Sequence, residues 1–140
     1  MPTVYLLLAV VFVAAGIPFA AWLSAHRWIR WAHRAAEYGL NDILDARDVS
    51  SDEAVAALRA QFDAWTTLVK DGAGRYCRLA DAHRVQYFDP PASTHVTGFN
   101  DEHRHIKQCT AERVHRLLDL AERLDAGETR LRAYWVPRIN

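Results

Sequence analysis

A chain of 140 residues carrying 17 Lys and Arg against 17 Asp and Glu has no net charge, and Arg supplies nearly all of the cations. That balance excludes the broad basic field of a nucleic-acid binder, so no nucleic-acid partner is expected. Hydrophobic residues make up 51 % of the chain while mean hydropathy is −0.17, which means the apolar content is concentrated in one region.

That region is N-terminal. Val4 to Ala25 contains no charged side chain, and as a helix it would be about 33 Å long against a hydrocarbon core of roughly 30 Å. Gly16 and Pro18 are tolerable in such a span when neighbouring groups re-satisfy the freed carbonyl. Ala14-Ala15-Gly16 also offers the small residues of a signal-peptidase site, but no Lys or Arg precedes the run and hydrophobicity continues through Leu23, a pattern of retention rather than cleavage. Beyond it Arg27, Arg30 and Arg34 recur at helical spacing, and the positive-inside rule then places the C-terminal bulk in the cytoplasm. Trp22, Trp28 and Trp31 fit an interfacial aromatic belt, so the bilayer is the first expected partner.

A helical period continues through Ala35, Ala36, Leu40, Ile43 and Leu44, with Gly39 as a candidate break. Ser50 or Ser51 followed by Asp52 and Glu53 opens a second helix, whose apolar positions Val55, Leu58, Phe62, Trp65 and Val69 form a narrow heptad seam. Asp71-Gly72-Ala73-Gly74 is expected to stop it. A shorter helix from Arg75 to Tyr87 is ended by Asp89-Pro90-Pro91. Asn100, with Asp101 and Glu102 behind it, caps a last helix predicted to reach Tyr134 or Trp135, with a seam of Val114, Leu117, Ala121, Leu124 and Leu131. The expected organisation is a tail over 1–3, a span over 4–25, a juxtamembrane helix over 26–47 and a helical hairpin or small bundle over 48–140.

A hairpin turning near Ser93 would pair Val69 with Leu117, Trp65 with Ala121, Phe62 with Leu124 and Val55 with Leu131, large against small as interdigitated packing requires. The same symmetry sets Cys77 opposite Cys109, Asp81 opposite His105 and His83 opposite His103. Cys77, Asp81, His105 and Cys109 together would offer two thiolates, an imidazole and a carboxylate, a donor set that satisfies tetrahedral zinc. Two buried free thiols, or a disulfide in an exported domain, are the simpler alternatives. Glu102/His105 and Glu112/His115 are ExxH pairs of the di-iron kind, without the bridging glutamates such centres need from facing helices. No nucleophile–base arrangement or phosphate loop is visible.

The sequence therefore reads as all-α, with an N-terminal single transmembrane helix and a cytoplasmic helical body in the inner membrane. Its expected role is non-enzymatic and cofactor-free: an accessory, assembly or scaffold subunit, meeting a protein partner or a second copy through its helical seams. With the soluble part near the lower size for an independent core, such a partner is expected on size alone. One alternative exports the body, giving a layout that resembles the inner-membrane spanins of phage in architecture only, and predicts a Cys77–Cys109 or intermolecular disulfide. The other is a metal-binding sensor built on the Cys/His/Asp cluster.

Overall fold

The computed structural model describes residues 2–90, 96–133 and 135–137. The apolar run is helical from Pro2 to Tyr38 (α1), passing Pro18 without interruption, and ends in a π-helical turn over Gly39–Leu44. The helices α2 (Asp52–Tyr76), α3 (Leu79–Gln86) and α4 (Asp101–Asp125) follow. Both predicted N-caps are made: Ser51 Oγ accepts from Ala54 N at 3.1 Å and Asn100 Oδ1 from His103 N at 2.8 Å. Each satisfies an N–H that the first turn leaves open, and acidic residues behind the cap favour the positive end of the helix. The fold is all-α, as expected.

The helices alternate in direction. Trp28 Nε1 donates to Gly72 O at 3.1 Å and Trp65 Nε1 to Ala35 O at 2.8 Å, so α2 runs antiparallel to α1. Arg123 reaches Asp81 at 3.2 Å while Arg113 reaches Val85 O at 3.3 Å, so α4 runs antiparallel to α3. Consequently α2 and α4 are parallel, their N-termini joined by Asn100 Nδ2 to Asp52 Oδ1 at 3.3 Å and their middles by Arg113 to Thr66 Oγ1 at 3.2 Å. The predicted hairpin is therefore corrected: these two helices are not antiparallel, so the pairings of Val69 with Leu117 and Val55 with Leu131 are not the packing of the seams. The turn expected near Ser93 lies outside the described residues. The small bundle has a different logic, in which α4 packs chiefly against α1 and its π turn.

What the parallel arrangement requires is a third surface, and α1 supplies it. Trp28, Trp31, Ala32, Ala35 and Ala36 are all buried. Their i, i+3, i+4, i+7, i+8 spacing is the apolar stripe of a core-facing helix. The seam residues Val55, Phe62, Trp65, Val69, Val114, Leu117, Ala121 and Leu124 are buried too, most of them in this shared core. The residues read as a juxtamembrane helix are thus structural members of the body.

One predicted break is also corrected, while the other, Gly39, marks where α1 gives way to the π turn. Asp71–Gly74 does not stop α2, because Gly72 is a packing position: a Cβ there would lie 2.1 Å from Trp31 Cη2, so only glycine lets the indole lie on the helix. Gly39 has the same function at the π turn, where a Cβ would lie 2.6 Å from Trp65 Cζ2. Conversely α4 stops well before Tyr134. Gly127, at φ 74°, closes it with Gly127 N to Leu124 O at 3.2 Å and Glu128 N to Arg123 O at 2.9 Å, the paired bonds of a Schellman termination that favours glycine. Leu131 is accordingly not on a helix. It forms an isolated antiparallel bridge with Cys77, and Arg132 N donates to Tyr76 O at 2.7 Å.

Candidate functional site: the membrane boundary

Side-chain exposure changes abruptly along α1. From Thr3 to Phe19 every residue faces solvent, with Phe12 85 % exposed, whereas Ser24 and Trp28 are fully buried. Soluble proteins rarely leave so much contiguous apolar surface uncovered, and a patch of this size marks a surface for a membrane or a partner. Thr3 to Trp22 would be about 30 Å long as a helix, the thickness of a hydrocarbon core. This helix is long and apolar enough to span a membrane.

The body begins at Ser24, and the chain's C-terminal return fixes that level. Val136 is fully buried, its N donates to Ser24 Oγ at 3.1 Å, and its carbonyl accepts from Arg27 at 3.1 Å. The Arg27 guanidinium carbon lies 4.6 Å from the centre of the Trp135 ring, a cation–π contact. Of the predicted interfacial residues, Trp22 stays exposed and stacks against Phe19 and His26, and Arg30 and Arg34 are exposed. Trp28 and Trp31 are corrected: they are core residues, because the stripe they share with Ala32 and Ala35 faces α2. Trp135, exposed at the same end with Arg27 over its ring, is a candidate interfacial tryptophan that the sequence reading missed. Its signal was present as an apolar Trp-Val-Pro run, hidden by the expectation that α4 continued through it.

The base of the bundle, meaning the end where α1 emerges, carries the ends of α2 and α4 and the start of α3. Here Arg30, Arg75, Arg78, Arg130 and Arg132 are exposed, with Leu79 79 % exposed among them. Asp71, Glu122, Asp125 and Glu128 are exposed acids at this end. The opposite end gathers Asp42, Asp45, Asp48, Asp52, Glu53, Asp101 and Glu102 around the π turn and the two capped N-termini, against the exposed Arg47 and Arg104. A groove of ≈ 790 Å³ opens at the base between Pro18, Ala21 and Trp22 of α1 and Gly127, Arg130 and Ala133 of the return.

The proposed metal cluster is not assembled. Asp81 is buried and fully engaged, accepting from Thr129 Oγ1 at 2.6 Å and from Arg123 at 3.2 Å. Since Arg123 and Cys109 are on one helix, the Asp81 end of the set is roughly 20 Å along the axis from the Cys109 end. Cys109 Sγ lies 3.5 Å from His105 Nε2, the one pair of the four that meets. Among the described residues no group of three His, Cys, Asp or Glu is placed to hold a metal. Both thiols are free and buried. Burial pushes the Cys77 thiol far above its ordinary value, helped by Asp81 and opposed by Arg132, and it raises Cys109 against the pull of Arg113 and Arg59. Burial thus favours the thiol over the thiolate at both positions.

Two buried polar groups hold the neighbouring elements. Arg113 is buried without a carboxylate, donating to Val85 O, Gln86 O at 3.4 Å and Thr66 Oγ1, with its guanidinium carbon 4.8 Å from the Phe88 ring centre. It takes up the open carbonyls that end α3, where a cation is favoured by the helix dipole. Arg116 does the same one turn on, donating to Arg84 O at 3.1 Å. Burial pulls the Arg113 guanidinium below its ordinary value. His103 Nδ1 accepts from Phe99 N at 2.9 Å, so its proton sits on Nε2, which is buried without a hydrogen-bond partner among the described residues. That environment, with Lys107 adding to it, lowers His103 below its ordinary value.

A mixed-charge cleft of ≈ 360 Å³ separates α3 from α4, lined by Asp81, Arg84, Glu112, His115, Arg116 and Arg123 among others. Its charges are largely spent on each other, Glu112 on Arg116 at 2.6 Å and Asp81 on Arg123. A mostly apolar groove of ≈ 430 Å³ on the α1/α2 face is lined by Trp31, Ala35, Tyr38, Ala64, Trp65 and Leu68, with Arg34 and Gln61 as its polar members. Compared with protein families, curated proteins and solved structures, the chain matches none.

Proposed function

We propose that the chain is a single-pass protein of the cell's inner membrane, N-terminus outside, whose cytoplasmic bundle serves as a non-enzymatic accessory, assembly or scaffold subunit. The observation that carries this is the change within one unbroken helix from an exposed apolar surface to a fully buried stripe at Ser24. The concentration of exposed arginines at the end of the body next to the span supports the orientation, since retained flanks are rich in Arg and Lys. The groove beside Tyr38 and Leu68, both exposed apolar side chains, supports contact with a helical partner: an amphipathic helix laid in such a groove would bury them.

A reporter enzyme active only in an oxidising compartment, fused after Asn140, tests the topology. The expected result is an inactive reporter with a membrane-resident fusion, and activity would overturn the cytoplasmic assignment. A photo-crosslinking residue at position 68 tests the role: a discrete adduct in intact cells, lost with Tyr38→Glu, is expected.

A further inference from the structure

We infer that the base of the bundle is a second membrane-binding surface, docked on anionic phospholipid headgroups alongside the span. The inference rests on the membrane-anchored reading and adds to it: a span requires only α1, whereas docking gives the side chains of the base their own contacts with headgroups.

Three observations point to lipid as the occupant. First, the surface is continuous with the span, because Val136 is pinned to Ser24 and Leu131 to Cys77, so Trp135, Leu79 and the α2 terminus lie at the level where α1 leaves the hydrocarbon. Second, its chemistry alternates cations with protruding apolar tips: Arg75, Arg78 and Arg130 beside Leu79, 79 % exposed, and Trp135, 56 % exposed. Arginine pairs with phosphate oxygens through a planar fork, and an indole prefers the headgroup layer. Third, the body is polarised along its axis. At the far end Asp42, Asp45, Asp52, Glu53 and Asp101 outnumber the exposed Arg47 and Arg104, an arrangement that an anionic surface at the base would itself select. The ≈ 790 Å³ groove is open to Ile17 and Pro18 on the span and rimmed by Arg130, which makes no ion pair among the described residues. A lipid there would place its acyl chain on α1 and its phosphate on Arg130, with Asp125 as the acid it must approach.

The test uses the full chain with Cys77→Ala and Cys109→Ala, and Leu79→Cys labelled with an environment-sensitive fluorophore, reconstituted in vesicles of phosphatidylcholine with and without phosphatidylglycerol. Docking predicts a blue-shifted emission quenched by headgroup-proximal spin-labelled lipid in the anionic vesicles, and markedly less in pure phosphatidylcholine. Each arginine near an anionic surface shifts such an equilibrium about fivefold. The triple variant Arg75→Gln, Arg78→Gln, Arg130→Gln should therefore weaken docking about a hundredfold and abolish the quenching. Quenching that is absent, or equal in the triple variant, overturns the inference. So does energy transfer between labelled copies without lipid quenching, which would hand the surface to a second protomer. Resistance to alkaline carbonate, read on the same samples, separates the two claims: a chain that stays with the vesicles but is not quenched loses only this inference, whereas one that washes off loses the span and this inference with it.

Discussion

Adding a single methyl group at Gly72 should destabilise the bundle, against the usual rule for helical glycine. In an exposed helix Gly→Ala stabilises by about 1 kcal/mol. At Gly72 the new Cβ would meet Trp31 Cη2 at 2.1 Å, Cζ2 at 2.4 Å and Cζ3 at 2.8 Å. All three atoms belong to the six-membered ring of a buried indole, so the ring itself must move. Overpacking of this kind costs about 1–3 kcal/mol, and the depth of this clash argues for the upper end, leaving a net loss of about 2 kcal/mol. For a body of this size that is a fall of about 8 °C in Tm, read by near-UV circular dichroism of the full chain in detergent. Trp31→Leu removes every clashing atom, so in that background Gly72→Ala should raise Tm by the propensity gain, a coupling of about 3 kcal/mol between the two positions. Gly74→Ala is the internal control, because its Cβ would meet chiefly the flexible amide end of Gln86. A rise in Tm for Gly72→Ala in the wild-type background, or an equal fall in both, would refute the packing explanation.

Asp81→Ala should cost about 1–3 kcal/mol, since it leaves Thr129 without its buried acceptor and Arg123 with only Glu128 at 4.0 Å, and limited proteolysis should then cut between Gly127 and Ala133 first. His103 is held below its ordinary value, so as pH falls through about 6.5 the unfolded chain gains a proton that the folded one refuses. Stability should decline with acidification until the lowered folded value is reached, and comparing Tm from pH 7.5 to pH 5 in wild type and His103→Gln should show a shallower decline in the variant. Arg113→Met, which keeps the length but not the donors, should lose about 2–3 kcal/mol by leaving the end of α3 open, detected as faster amide exchange over residues 84–88. Iodoacetamide should modify Cys77 only on unfolding and Cys109 slowly, followed by mass spectrometry; rapid labelling of native Cys77 would contradict its burial.

Much of the fold was legible because its signals are local. The caps at Ser51 and Asn100, the charge-free run and the seam positions follow from spacing alone. The errors came where local signals compete with tertiary ones. Gly72 and Gly74 look like punctuation, and only the presence of Trp31 across the interface turns the first into a contact. Trp28 and Trp31 sit beside arginines after an apolar run, which is the composition of an interfacial belt, yet their spacing with Ala32, Ala35 and Ala36 already carried the core stripe. Gly127 was a stop signal overlooked in favour of a longer seam. Once α4 was taken past it, Leu131 and Trp135 were given helical roles and the return to Ser24 vanished. The metal set failed for a further reason: Asp81 finds Arg123 42 residues away, and no spacing rule reports which of two antiparallel registers a short helix will adopt.

The uninterrupted passage of α1 from exposed apolar to core-facing side chains makes the proposed span and the body a single shaft. Each residue of helix advances 100° about the axis and 1.5 Å along it, so the azimuth of the body over the membrane is set by the number of residues between Trp22 and Ser24. One alanine inserted there would turn the arginine-bearing base by about 100° relative to any neighbour held by the span while leaving every contact inside the body intact. A twist applied to the helix within the bilayer would likewise arrive undamped at Trp28 and Trp31.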